Sequence, residues 1–258
     1  MPAAFLIHGF LSDKKDFEAL LPKLGGRYDE IFCPDLPGHG ENHTGFKTRL
    51  ISRQGIFEYI LAEFDRLQAA HGTVDVFGFS MGGALAHYLA AERQVGKVVL
   101  LAPAYKDLFF IYPFYRLKFG REGRREVRAK KKNRELKKPL LGELITDKTG
   151  RREDMKRGAG HFFKVMLPRL GPRNYIAFKR IIRKCNRTAR NKLLKPPALV
   201  VYGRLDQMIP YSVVKRACKG FEDCKVVLYR DITHAMLHSK AGDRIADDIV
   251  KFLDSHTE

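Results

Sequence analysis

The sequence is poor in the features that mark several large protein classes. Its four cysteines, Cys33, Cys185, Cys218 and Cys224, show no Cys-x-x-Cys spacing and no accompanying histidine pattern. Neither a zinc site nor a disulfide framework is indicated, and a reducing compartment is expected. The opening residues, Met1-Pro2-Ala3-Ala4-Phe5-Leu6-Ile7, lack a basic n-region and run straight into His8-Gly9. They make a poor signal peptide and are far too short to span a bilayer. No repeats and no flexible linkers stand out. Disorder is excluded by an apolar fraction of 45% and an aromatic fraction of 11%, both ordinary for a globular chain of 258 residues.

One further scarcity is local. Between Ala104 and Pro197, 29 Lys and Arg stand against only 8 Asp and Glu, whereas the rest of the chain carries 19 basic and 21 acidic residues. The overall net charge of +19 therefore resides in one segment. This composition divides the chain into a core formed by residues 1–103 and 198–258 and an insert, 104–197. So dense a positive charge calls for an acidic partner. Arg173–Arg187 is a basic amphipathic helix, which suits an anionic membrane surface or an anionic substrate. No RNA-binding motif accompanies it, so nucleic acid ranks last. The insert opens with seven aromatics in fifteen residues, Tyr105 to Phe119. These read first as packing; Phe109, Phe110 and Tyr112 are the candidates for substrate contact.

What is present in the core is an alternation of short apolar runs with amphipathic ones. Ala3–Ile7, Ile31–Cys33, Val74–Phe79, Lys97–Leu101, Ala198–Tyr202 and Lys225–Tyr229 read as strands. Asp16–Leu24, Ile51–Gln68, Ala84–Arg93, Tyr211–Lys219 and Asp243–Asp254 read as helices. Near-continuous apolar strands separated by helices predict an α/β fold: a mostly parallel sheet covered on both faces. Within the insert, Asp154–Leu167 and Arg173–Arg187 read as helices.

The chemistry centres on Gly78-Phe79-Ser80-Met81-Gly82. This pentapeptide joins a strand to a helix, the context in which a serine is raised on a sharp turn as a nucleophile. Such a serine needs a base and a carboxylate to orient it. In parallel sheets both are sought just beyond the carboxyl ends of later strands. Asp206 follows Ala198–Tyr202, and His234 follows Lys225–Tyr229. His238, four residues on, is the nearby competitor. Backbone amides of Phe10 and Met81 are the expected oxyanion donors. No metal or cofactor is required by this scheme. His8 and His39 read as residues that hold loops, and His43, His71, His87, His161 and His256 as surface or packing residues.

His8-Gly9-Phe10, Asp35-Leu36-Pro37-Gly38-His39-Gly40, Gly78 to Gly83, the Gly203…Asp206…Pro210 spacing and Thr233-His234 occur together in an order that resembles the α/β-hydrolase family. Within it the chain is similar to bacterial carboxylesterases and monoacylglycerol lipases. The resemblance implies an inserted helical lid at 104–197, reduced N-terminal strands, and hydrolysis of esters with a hydrophobic acyl chain by Ser80, Asp206 and His234. Thr233 departs from the glycine usual before the histidine. Two other readings keep the scaffold. One is a lyase of the menaquinone-pathway synthase type acting on an anionic substrate; the other is a non-catalytic protein that binds an anionic membrane or nucleic acid.

Overall fold

In the computed structural model the described residues are 1–40, 53–105, 143–145, 172–189, 192–206, 208–209, 211–230 and 232–256. Among them are seven strands: β1 (Ala3–Ile7), β2 (Glu30–Phe32), β3 (Val74–Phe79), β4 (Val98–Leu101), β5 (Glu143–Ile145), β6 (Ala198–Gly203) and β7 (Cys224–Tyr229). They form one sheet in the order β2-β1-β3-β4-β6-β7-β5, and every pairing is parallel. The middle strands are almost wholly apolar because both faces are covered. Each residue of β1, β3, β4 and β6 is buried, Asp75 and the glycines included.

The helices are α1 (Leu21–Leu24), α2 (Arg53–His71), α3 (Met81–Glu92), α4 (Pro172–Ala189), α5 (Ser212–Cys218) and α6 (Gly242–Asp254). The chain moves outward from β1 to β2, then returns past β1 to β3 and continues to β4. Right-handed crossovers in opposite directions put the connecting helices on opposite faces. Accordingly α4 packs on α2 and α3, whereas α1 packs on α6. The reversal leaves a crevice between the carboxyl ends of β1 and β3, where ligands of such sheets bind. Among the described residues no helix is long and apolar enough to cross a membrane.

Asp75, the second residue of β3, would be a costly buried carboxylate without partners. It accepts hydrogen bonds from the Tyr28 hydroxyl (2.8 Å) and the Lys97 amide (2.6 Å), and the Lys97 ammonium lies 3.7 Å away. Helix α3 is buried from Met81 to Ala91. Helix α4 is one-sided: Phe178, Ile181, Ile182 and Cys185 are buried, while Arg173, Ile176, Arg180, Arg183, Lys184 and Arg187 are exposed. Spacings of three and four place the buried set on one stripe, as the sequence periodicity requires.

Three expectations need correction. Asp16–Leu24 is not one helix but a 3₁₀ turn, Lys14–Phe17, followed by α1. Pro22 lacks an N–H and is accommodated only in a first helical turn, so the helix restarts there. The insert is not helical throughout, since β5 lies within it and pairs with β7 at the edge of the sheet. Cys218 and Cys224 form a disulfide. The end of α5 and the start of β7 are joined by a tight turn that brings their Cα atoms to 5.4 Å, a proximity no spacing rule announces. The cysteine argument for a reducing compartment falls with it. Cys33 and Cys185 are free thiols.

Candidate active site

The turn from β3 into α3 is closed by steric necessity. A Cβ on Gly78 would lie 2.2 Å from the Gly82 carbonyl oxygen, and one on Gly82 would lie 1.8 Å from that of Ile7. Between them Ser80 adopts φ 53° and ψ −114°, a strained left-handed conformation for a residue with a side chain. The strain is held by the backbone around it. Ser80 N–H donates to the Leu101 carbonyl (2.8 Å), and its own carbonyl accepts from Ala104 N–H (2.8 Å). These contacts pin the residue between the ends of β3 and β4.

His234 reaches this hydroxyl from the segment after β7. Its Nε2 lies 3.0 Å from Ser80 Oγ and its Nδ1 lies 2.7 Å from Asp206 Oδ2. With Nδ1 protonated, Nε2 is free to accept the serine proton. The Asp206 side chain is fully buried; its other oxygen accepts from the amides of Met208 and Ile209, both at 2.8 Å. The loops that carry these two residues are tied together. Leu205 N–H donates to the Ile232 carbonyl (3.0 Å), and a Cβ on Gly203 would lie 2.3 Å from that oxygen. The phenyl ring of Phe79 stacks obliquely on the His234 imidazole at 5.0 Å.

Met81 is the first residue of α3, so its amide is one of the helix's free N-terminal donors. The loop bearing Phe10 lies beside it, because Gly82 abuts the carbonyl oxygens of both Ile7 and His8. Phe10 in turn packs on Phe178 of α4, ring centroids 4.7 Å apart.

The profile of the alpha/beta hydrolase fold family matches residues 2–241. The chain belongs to that family. A curated relative, the uncharacterized hydrolase YugF of Bacillus subtilis (strain 168), is 24% identical over 97% of this chain and 86% of its own length. Among solved structures, the monoacylglycerol lipase of Paleococcus ferrophilus superposes with a TM-score of 0.67 at 18% identity. That match covers 99% of this chain and 95% of the lipase. A thermophilic esterase of Thermogutta terrifontis gives 0.65 at 18% identity, covering 100% and 91%. At such identities these structures speak for the fold.

In α/β-hydrolase terms, the structure brings Ser80, Asp206 and His234 into one hydrogen-bonded chain and sets Phe10 and Met81 at its side. His238 does not compete: its Nε2 faces Asp16 Oδ1 at 3.4 Å. His8 holds a loop, as its position in the motif implied. Its Nδ1 pairs with the Gly9 carbonyl (2.8 Å) and its Nε2 accepts from Leu36 N–H (2.9 Å); burial keeps its pKa below the ordinary value. Phe109, Phe110 and Tyr112 lie outside the described residues, as does Asp154–Leu167. Among the described residues no three His, Cys, Asp or Glu converge in a way that would hold a metal ion.

Sequence reasoning missed Asp16, a buried carboxylate directly under the first loop. It also missed the seam at Tyr105, whose hydroxyl pairs with His87 Nδ1 and whose carbonyl accepts from Asn186 of α4. Asp16 does have a sequence signal, a Ser-Asp-x-x-Asp turn one residue after His-Gly-Phe. The seam has none, because its partners are far apart in the chain.

Proposed function

We propose that this α/β hydrolase is a serine hydrolase of carboxylic esters with a hydrophobic acyl chain. The observation that carries the reading is the continuous contact Ser80–His234–Asp206 on a strained elbow. Ser80 Oγ attacks the ester carbonyl while His234 Nε2 takes its proton. The amides of Phe10 and Met81 stabilise the oxyanion, and His234 returns the proton to the leaving alcohol. Water, activated by the same imidazole, releases the acid and frees Ser80. Asp206 keeps the imidazole oriented and stabilises its charged form. The lipase and esterase neighbours agree with an ester substrate, and the buried packing of Phe10 on Phe178 ties the first loop to α4 of the insert.

Residues 104–197 act as the lid in this reading, and an anionic lipid surface is its partner. Support comes from the outer face of α4, where Arg173, Arg180, Arg183 and Arg187 are exposed around a half-exposed Ile176. Guanidinium groups pair well with phosphates, and an apolar side chain among them suits a bilayer interface. The deciding experiment is a panel of esters of graded acyl length, with burst kinetics and a phosphonate probe. The expected result is a burst of one equivalent, labelling at Ser80, and a rate maximum at medium or long chains. A protein that turns over no ester and shows no burst, yet eliminates a leaving group from an anionic substrate, would instead be a lyase.

A further inference from the structure

Two groups near the site have no part in the scheme above, Asp16 and His238. The Asp16 side chain is 5% exposed, at the end of the loop that follows β1. Its Oδ2 accepts from Gly9 N–H (2.9 Å), and its Oδ1 accepts from Ser12 Oγ (2.7 Å). His238 comes from the 3₁₀ turn Met236–His238, two residues past His234's own loop, and presents Nε2 to the same Oδ1. The pair thus joins the loop carrying Phe10 to the segment carrying His234.

Gly9 is held on both sides. Its N–H is taken by Asp16, and its carbonyl is paired with the ring of His8. The Gly9 carbonyl and the Phe10 N–H share one planar trans peptide and point in opposite directions. Fixing the first therefore aims the second. Glycine has no Cβ to restrict its own dihedrals, so the His8 contact holds this peptide and the Asp16 contact holds the one before it, and the turn at Gly9 is set between the two. A Cβ on Gly9 would lie within 3.3 Å of both Phe79 and Asp16, so a side chain there would crowd the two.

We infer that Asp16 is the positioning residue of the oxyanion pocket and His238 its counter-ion. The inference rests on the ester-hydrolase reading above. A carboxylate under an oxyanion donor has two effects. It orients the donor, and its charge opposes the negative charge that develops on the substrate. A protonated His238 cancels the second effect while leaving the first.

The electrostatics agree with that division. Burial pushes the Asp16 carboxyl up, but hydrogen bonds from His238 and Gly9, the nearby His8 and the Ser12 hydroxyl together hold it below the usual carboxylate range. The hydrogen bond to Asp16 is the largest influence on His238 and raises its pKa above the ordinary histidine value despite partial burial; Glu18 and Asp13 act in the same direction. The proton on His238 is present below that raised value and lost as pH climbs through it. Turnover then falls on the alkaline side, because Asp16 is left uncompensated beneath the oxyanion.

The test is kcat and KM for p-nitrophenyl esters from acid to alkaline pH, with phosphonate labelling of Ser80, in the wild-type protein and three variants. Asp16→Ala frees the Gly9 N–H and leaves the Gly9 carbonyl to His8 alone; it is expected to lower kcat by up to about 10²-fold, the scale of one lost oxyanion donor, with KM little changed. Asp16→Asn keeps an acceptor for Gly9 and removes the charge. It should retain most of kcat at neutral pH and lose the alkaline decline. His238→Gln keeps a donor to Asp16 without the positive charge; its kcat should be low at every pH and its alkaline decline absent. Should Asp16→Ala fail to fold, the other two variants still decide. An active, labelled wild type whose Asp16→Asn and His238→Gln variants keep the same alkaline decline would overturn the brace alone. A wild type that neither turns over esters nor labels at Ser80 would overturn the ester reading and the brace with it.

Discussion

The core and the insert of this chain carry their information in different ways. In residues 1–103 and 198–258, chemistry is written in short local strings: a glycine two residues either side of Ser80, an aspartate just past β6, a histidine just past β7. In residues 104–197 the message is bulk charge, 29 basic residues against 8 acidic ones, without a motif. The lesson is that covalent chemistry needs atoms placed to within tenths of an ångström. Attraction to an anionic surface needs only a sum of charges on one face.

The most severe way to break the core is Ser80→Ala. A kcat loss of about 10⁶-fold is expected, with folding intact by circular dichroism. Asp206→Asn comes next. It leaves His234 without its carboxylate and in the wrong tautomer, with an expected loss of about 10⁴-fold in kcat.

The seam between the two regions is open to a subtler test. His87, on α3, pairs with Tyr105 and stacks on Phe221 at 4.6 Å, and burial lowers its pKa to about 4. A folded-state value below the unfolded one means that stability is complete above the ordinary histidine pKa of 6.5 and is lost as pH falls towards 4. The shift corresponds to about 3 kcal/mol, an order of magnitude only. A His87→Gln variant should therefore show a flatter fall of denaturation midpoint with acid than the parent; an unchanged acid profile would show that the seam does not sense this proton.

The smallest effect on stability sharpens the comparison most. Arg180, Arg183 and Arg187 are exposed on α4, so a triple change to Glu should shift stability by only about 0.5 kcal/mol per site. Turnover of soluble esters should stay the same. Binding to vesicles rich in anionic phospholipid should drop steeply, and the wild-type binding it replaces should weaken with added salt. If the variant binds such vesicles as the parent does, the charge on α4 has another purpose.

How far the sequence could be read follows from the same division. The buried strands were legible because each is a nearly continuous apolar run. The Ser80–Asp206–His234 set was legible because each residue sits just past the end of its own strand. The Asp16–His238 pair was not, since 222 residues separate its members and only the tertiary fold brings them together. Strand β5 was hidden for a related reason. Three residues, Glu143–Ile145, become a strand by pairing with β7, a property of the edge they meet and not of their own pattern. The break between the 3₁₀ turn and α1 was legible in principle from Pro22, but the apolar spacing of Phe17, Leu20, Leu21 and Leu24 outweighed it.

The contact between Gly82 and the end of β1 has a mechanical consequence. No side-chain atom fits between the start of α3 and the Ile7 carbonyl, so the two backbones are in direct contact. A fluctuation that shifts α3 therefore shifts the first loop with it. Displacements of that kind are shared, and they largely cancel in the separation between Ser80 Oγ and the Phe10 and Met81 amides, the attacking oxygen and the charge-receiving donors of the proposed mechanism. Thermal motion can carry the reaction centre about without changing its internal dimensions, and a single added methyl group at residue 82 would separate the two motions.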